Sequence, residues 1–328
     1  RYRIRKGGSS SHVHLEYSLE RSVKGTRLYD ASAADFVLPK NEKRFRTRIE
    51  VTAETTLEAL YRIVGERERK RVGDDANSGS RMASSPTATR RKNKTMSSDA
   101  EAKDLTAGDD PEGTAKDIKR TKNEEVLAGG SKIAILNFAS ARNPGGGFLR
   151  GAQAQEESLA RSSGLHPCLM TQHETFYLQH RRTRSPYYSN KVIFSPHVPF
   201  FRHDDGTFLA KPVCPSVLSC AAVNAGVARR SGTNQEAKIS EQNRKRMRLI
   251  LQVAALQRNE VLILGAFGCG VFKNDPSIIA RTWHSLLQSE DFQGRFRRVC
   301  FAVHDATKGQ TVLKAFTPLR SADGGGKS

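Results

Sequence analysis

The sequence predicts an α/β protein, a three-layer α/β/α sandwich built on a mixed, largely parallel sheet. Three observations lead there. From Ser131 onward, short aliphatic runs alternate with stretches of helical periodicity, the pattern of strands buried on both faces and covered by helices. Two of those runs, 132–138 and 260–265, pass directly into glycine-rich turns. The hydrophobic fraction of 37% is low, and the dilution is local. Between about Glu66 and Lys122 aliphatic residues almost vanish among Arg, Lys, Ser, Asp and Gly, a composition too polar to bury a core. The remainder is rich enough to fold as one domain.

Residues 1–30 show no clear period. Short extended pieces are expected near Phe36-Val37-Leu38-Pro39 and Arg48-Ile49-Glu50-Val51. Thr55-Thr56-Leu57-Glu58 reads as a capping box, with Thr55 as N-cap and Glu58 reaching back. The helix it opens carries Leu57, Leu60, Tyr61 and Val64 on one face, and Gly65 is its expected stop. Strands are expected at 132–138, 191–195, 213–222, 260–265 and 298–304, with helices in 155–180, 241–258 and 276–289. The last helix has Asp275 as N-cap and Pro276 at its first position. The resulting division is 1–65, an N-terminal extension and the first core helix; 66–122, a polar disordered insertion; 123–317, the α/β core; and 318–328, a disordered tail. The tail ends Gly324-Gly325-Gly326-Lys327-Ser328, but Ser321 stands where a phosphate-binding loop needs its first glycine.

A net charge of +20 points to polyanionic partners. Part of that excess lies in tracts such as Glu66–Arg71 and Arg90–Lys94, which suit a solvated segment as well as a binding surface. The five cysteines have no paired metal spacing, and the nine histidines show no ligand spacing. No apolar run approaches membrane-spanning length. Reduced thiols in an intracellular protein, nuclear or cytoplasmic, are the expectation. The chain opens on Arg1 rather than Met, so a preceding segment is compatible with it.

The chemistry concentrates at two turns. After Ile133–Phe138 come Asn143-Pro144-Gly145-Gly146-Gly147 and then Gln155-Glu156-Glu157 at a helix start. Glycines let a backbone approach a ligand closely, and a helix start at the carboxyl end of a strand is a recurrent anion site. Acidic residues in a first helical turn also simply favour the helix dipole. Adjacent helical side chains diverge by roughly 100°, so Glu156 and Glu157 are not expected to point at one bond together. The second turn, Gly265-Ala266-Phe267-Gly268-Cys269-Gly270-Val271-Phe272, lacks the dinucleotide G-x-G-x-x-G order. It suits either a nest of amides around a diphosphate or an ordinary strand-to-helix turn.

Three glycines, a short spacer and Gln155-Glu156-Glu157 resemble the signature of poly(ADP-ribose) glycohydrolases. Asn137–Pro144, Ala154–Ser163, Tyr188-Ser189, Phe194–Pro199, Ala221–Asn224 and Leu264–Pro276 look like the bacterial-type (microbial) branch. The resemblance spans roughly 45–65 and 130–317 and implies a macrodomain fold that binds ADP-ribose. It implies Glu157 as the acid that protonates the leaving 2′-oxygen and then activates water, with Glu156 on ribose hydroxyls. It also implies Asn143 on the terminal ribose, Gly145, Gly146 and Gly147 letting the backbone approach closely, and Gln155 among the ligand-binding residues. Gly268, Cys269, Gly270 and Val271 would lie on the diphosphate, and Phe272 against the ribose. No metal or cofactor is implied. The partners implied are poly(ADP-ribose) or ADP-ribosylated proteins, with weak nucleic-acid contact through the basic tracts, no membrane and a monomeric chain. Two other readings are a non-catalytic ADP-ribose-binding macrodomain module, which has no need of Glu157, and a nucleic-acid binder. The latter calls for aromatics among the basic residues, and Arg67–Lys94 holds none.

Overall fold

The computed structural model describes residues 2–6, 9–32, 38–79, 132–232 and 235–320. The chain divides into two compact units, Arg1–Val64 with Leu127–Ser328, and Gly65–Val126. It opens with the hairpin β1 (Tyr2–Lys6) and β2 (Ser9–Val13), followed by α1 (Glu16–Gly25), β3 (Arg27–Asp30), β4 (Arg48–Thr52) and α2 (Thr56–Gly79). Then come β5 (Ile133–Phe138), α3 (Gln155–Ser162), α4 (Leu165–Met170), a π-helical turn at His173–Leu178 and α5 (Gln179–Thr183). Next in order are β6 (Lys191–Ser195), β7 (Phe200–Arg202), β8 (Phe208–Val213), β9 (Ser216–Cys220) and α6 (Ala225–Arg230). The chain closes with α7 (Glu236–Leu256), β10 (Val261–Leu264), α8 (Pro276–Leu287), β11 (Arg298–Ala302) and α9 (Thr311–Phe316).

Seven strands form one sheet in the order β3-β6-β9-β5-β10-β11-β4. The run from β9 to β4 is parallel, and β6 and β3 join antiparallel at one edge. Side-chain alternation divides the core. Ala134, Leu136, Leu262, Leu264, Val299 and Phe301 pack with α7, α8 and Phe316 on one face. Ile133, Ile135, Ile263 and Cys300 pack with Leu57, Leu60 and Ile63 of α2, Leu159 of α3 and Leu165 of α4 on the other. Strands apolar at every position need helices on both sides, and this sheet has them. Among the described residues no helix is long and apolar enough to cross a membrane.

The capping box forms: the amide of Thr55 donates to Oε2 of Glu58 at 2.8 Å, and that of Glu58 to Oγ1 of Thr55 at 3.1 Å. Asp275 caps α8 through the amides of Ser277 and Ile278, with Pro276 in the first turn. Other expectations are corrected. Helix α2 does not stop at Gly65 but runs to Gly79, so the start of the polar stretch is helical. Glu66-Arg67-Glu68-Arg69-Lys70 are good helix formers, and their preference outweighs one interior glycine. The rest of the insertion lies outside the described residues, as do Phe36 and Val37. The span 155–180 is four pieces rather than one helix, because Ser163 is extended (φ −149°, ψ 176°) and bridges Phe200. Helix α7 begins at Glu236, earlier than its apolar stripe. The strand expected at 213–222 is confined to Ser216–Cys220. Leu319, assigned to the tail, is buried, and Arg320 donates to Val51 O at 2.8 Å. Residues 321–328 lie outside the described set.

Candidate active site

Strands β5 and β10 are parallel neighbours, so the turns that follow them leave the same edge of the sheet. They open onto one cleft of about 1290 Å³. Its walls come from the ends of β5 and β10, the start of α3, residues 302–307 after β11, and the tip of the β7–β8 hairpin. Of the residues singled out in the sequence, Asn143, Gly146, Gly147, Gln155, Glu156, Glu157, Gly268, Cys269, Gly270, Val271 and Phe272 all line it. Gly145 does not; its Cα faces Phe148 and Ala160.

The first glycine turn wraps around the two acids. Oε2 of Glu156 accepts the Ser140 amide at 2.7 Å, and Oε1 lies 3.4 Å from Nδ2 of Asn137. Glu157 accepts the amide of Gly147 at 2.9 Å on Oε1 and that of Ala154 at 3.2 Å on Oε2. The divergence expected of adjacent helical side chains is overcome. A Cβ at Gly146 would lie 2.1 Å from Oε1 of Glu157 and 3.0 Å from Oε2 of Glu156. Both carboxyls therefore converge on a residue with no side chain, whose φ of +64° also favours glycine. Two flexible side chains on neighbouring turn positions can bend to one point when backbone amides hold them there.

Burial separates their electrostatics. Glu156 is 4% exposed, and loss of solvent raises its pKa to about 8, with the Glu157 charge adding to the rise. The Ser140 amide, the Asn137 amide and the Gly145 backbone oppose the shift without cancelling it. At neutral pH Glu156 is thus mostly protonated. Behind it, Asn137 also donates to Oγ of Ser219 at 3.0 Å.

Gln155 faces the sheet more than the cleft. Its Oε1 accepts the Phe138 amide at 2.9 Å, and its Nε2 donates to Leu136 O at 2.6 Å and Oγ1 of Thr56 at 3.1 Å. It fastens the start of α3 to the end of β5, which spends both of its N–H donors. Asn143 is oriented by Arg181, whose Nη2 donates to Oδ1 at 3.1 Å while Nε donates to Arg142 O at 2.8 Å. The Asn143 Nδ2 is left to donate into the cleft. In the second turn the amide of Cys269 is spent on Ala266 O at 3.1 Å. Those of Gly268, Gly270, Val271 and Phe272 reach no acceptor among the described residues, so four amides remain for an anion. Gly268 (φ +73°) is close-packed, with a Cβ there lying 2.4 Å from Cβ of Ala222. Val271 is 80% exposed at the rim, and Phe272 packs against Tyr188 with ring centroids 6.0 Å apart. Burial raises the Cys269 thiol pKa to about 12, so its sulfur is not a nucleophile. Among the described residues no group of three His, Cys, Asp or Glu side chains is placed to hold a metal ion.

Sequence reasoning missed Ser140, Arg181 and the tip Arg202–Gly206. Asp205-Gly206 between Phe-Phe-Arg and Phe-Leu carries a hairpin signal, but nothing local shows where the hairpin lands. Asp204 ties that tip to the acid-bearing helix, accepting from the Ser158 hydroxyl and from Oγ1 of Thr55 at 2.7 Å.

The family model for the catalytic domain of microbial-type poly(ADP-ribose) glycohydrolase (PARG) matches residues 3–74 and 73–203. Among solved structures, PARG from Thermomonospora curvata is 34% identical, covers 96% of this chain and 93% of its own, and superposes with a TM-score of 0.70. PARG from the same organism bound to the inhibitor ADP-HPD gives 34%, 97%, 93% and 0.68. PARG from Deinococcus radiodurans in complex with ADP-ribose gives 33%, 95%, 97% and 0.64. No curated protein sequence matches. The sheet, the paired acids beneath a triple-glycine turn and these matches together place the chain in the microbial-type poly(ADP-ribose) glycohydrolase family.

Proposed function

We propose that the chain hydrolyses the ribose–ribose O-glycosidic bonds of poly(ADP-ribose) and releases ADP-ribose. The observation that carries the assignment of roles is the convergence of Glu156 and Glu157 on Gly146 in a cleft also lined by four amides that reach no acceptor among the described residues. The diphosphate of the bound unit sits on the amides of Gly268, Gly270, Val271 and Phe272, and the Asn143 amide donates to a hydroxyl of its terminal ribose. Phe272 packs against that ribose. Glu157 protonates the departing 2′-oxygen as positive charge develops at the anomeric carbon, then takes a proton from the attacking water. Glu156, buried and with its pKa raised to about 8, donates to a ribose hydroxyl. Two acids on one side of the bond suit a single acid/base group with a helper, since paired-carboxylate glycosidases place theirs on opposite sides.

Five free cysteines, four of them buried and the fifth, Cys269, partly so, support an intracellular setting, nuclear or cytoplasmic. The test is release of ADP-ribose from labelled polymer. Glu157→Gln is expected to lower turnover by about 10²- to 10⁴-fold, the usual worth of a general acid/base, while polymer still binds. Equal release by Glu157→Gln and the native chain rejects the role of Glu157. Binding without release by both identifies a reader module instead.

A further inference from the structure

The cleft exceeds the roughly 300–1,000 Å³ of a typical single-ligand pocket, and its two ends differ. At one end stand Gly268–Phe272, whose Cys269 and Phe272 pack against the α7/α8 face of the core. At the other stand Arg202–Gly206, carried by a hairpin whose Phe200 belongs to the cluster on the opposite face of the sheet. The acids adjoin the hairpin tip, for Ser158, next to Glu157, is the residue bonded to Asp204 in that tip. A polymer cut at Glu157 has one unit to each side. The released unit fills the amide end, so the departing unit, which keeps its own diphosphate, extends toward the hairpin.

A guanidinium stands there; another in the lining, Arg161, donates to Ala152 O at 2.6 Å. Arg202 lines the cleft, and its guanidinium carbon lies 4.7 Å from the ring centroid of Phe208 and 5.9 Å from that of Phe201. Its Nε is buried and has no hydrogen-bond partner among the described residues, and its carbonyl is fixed by Oη of Tyr61 at 2.7 Å. The neighbouring carboxylates are engaged elsewhere: Asp204 with Ser158 and Thr55, Asp205 with the amide and hydroxyl of Thr207. A guanidinium held against aromatic rings, with donors unspent, is pre-organised for planar capture of a phosphate. We propose that Arg202 forms a phosphate subsite for the departing ADP-ribose unit, so that the cleft reads the polymer on both sides of the bond it cuts. This rests on the glycohydrolase reading of the same cleft.

The experiment compares two substrates: poly(ADP-ribose), and a nitrophenyl glycoside of ADP-ribose, in which an aryl group with no phosphate replaces the departing unit. The native chain, Arg202→Met and Arg202→Lys are assayed on both across a salt series. For Arg202→Met, kcat/KM on polymer is expected to fall roughly tenfold relative to that on the aryl glycoside. Its dependence on log salt should flatten by about one, and Arg202→Lys should restore the salt slope. An unchanged ratio between the substrates, or an equal fall on both, overturns the subsite. A native chain that cleaves neither substrate rejects the glycohydrolase reading itself, a result separable from the other two.

Discussion

Glu156 has no visible property in the sequence beyond standing first in an acidic pair. Its burial against Ser140 and Asn137 gives it a pKa of about 8. The sign of its effect on stability follows from linkage. Between about pH 4.5 and 8 the folded protein holds a proton on Glu156 that the unfolded chain has released, so stability falls as pH rises through that window. The stabilisation is complete below the unfolded pKa and lost above the folded one, a swing on the order of 5 kcal/mol. The melting temperature of the native chain relative to Glu156→Gln should therefore fall from pH 4.5 to 8. The neutral buried His180, its pKa lowered to about 4 chiefly by burial, is common to both proteins and cancels. A pH-independent difference rejects a protonated Glu156. At this scale, residue types were legible and their engagements were not. Gln155 sits in the signature, and its amide is tied to Leu136, Phe138 and Thr56. That pairing spans 99 residues for Thr56 and leaves no local trace.

Among the elements, those announced by caps and punctuation were read well. Thr55 to Glu58, Asp275-Pro276 and the aliphatic runs of β5, β6, β10 and β11 carry their own boundaries. Those governed by tertiary context were not. Strand β3, with Arg27 and Asp30 at its ends, has little strand character and exists because β6 offers it an open edge. The continuation of α2 through Gly65 yields a direct test. A Cβ there would meet only the Arg69 guanidinium at 3.5 Å, and the glycine φ is not positive. Gly65→Ala is expected to stabilise by about 0.5–1 kcal/mol, as in any helix interior, read as a higher midpoint in urea denaturation. Had Gly65 been a left-handed cap, the same change would destabilise.

For the molecule as a whole, alternation of strands and helices was enough to give three layers, because strands apolar on both sides leave few other arrangements. That the two glycine turns share a cleft follows only from β5 and β10 being parallel neighbours, which no local pattern encodes. The cleft draws its lining from Thr55 to Val312, so no fragment of the chain carries it intact. A small molecule seated there acts as a clasp on distant parts of the sequence, and occupancy reports on global integrity. ADP-ribose at a hundred times its dissociation constant should add about 2.7 kcal/mol against unfolding, visible as a melting temperature that climbs with its concentration even when Glu157→Gln has silenced turnover. A thermal-shift titration of that variant would thus weigh affinity apart from chemistry, and a flat titration would deny that the nucleotide settles where the strands end.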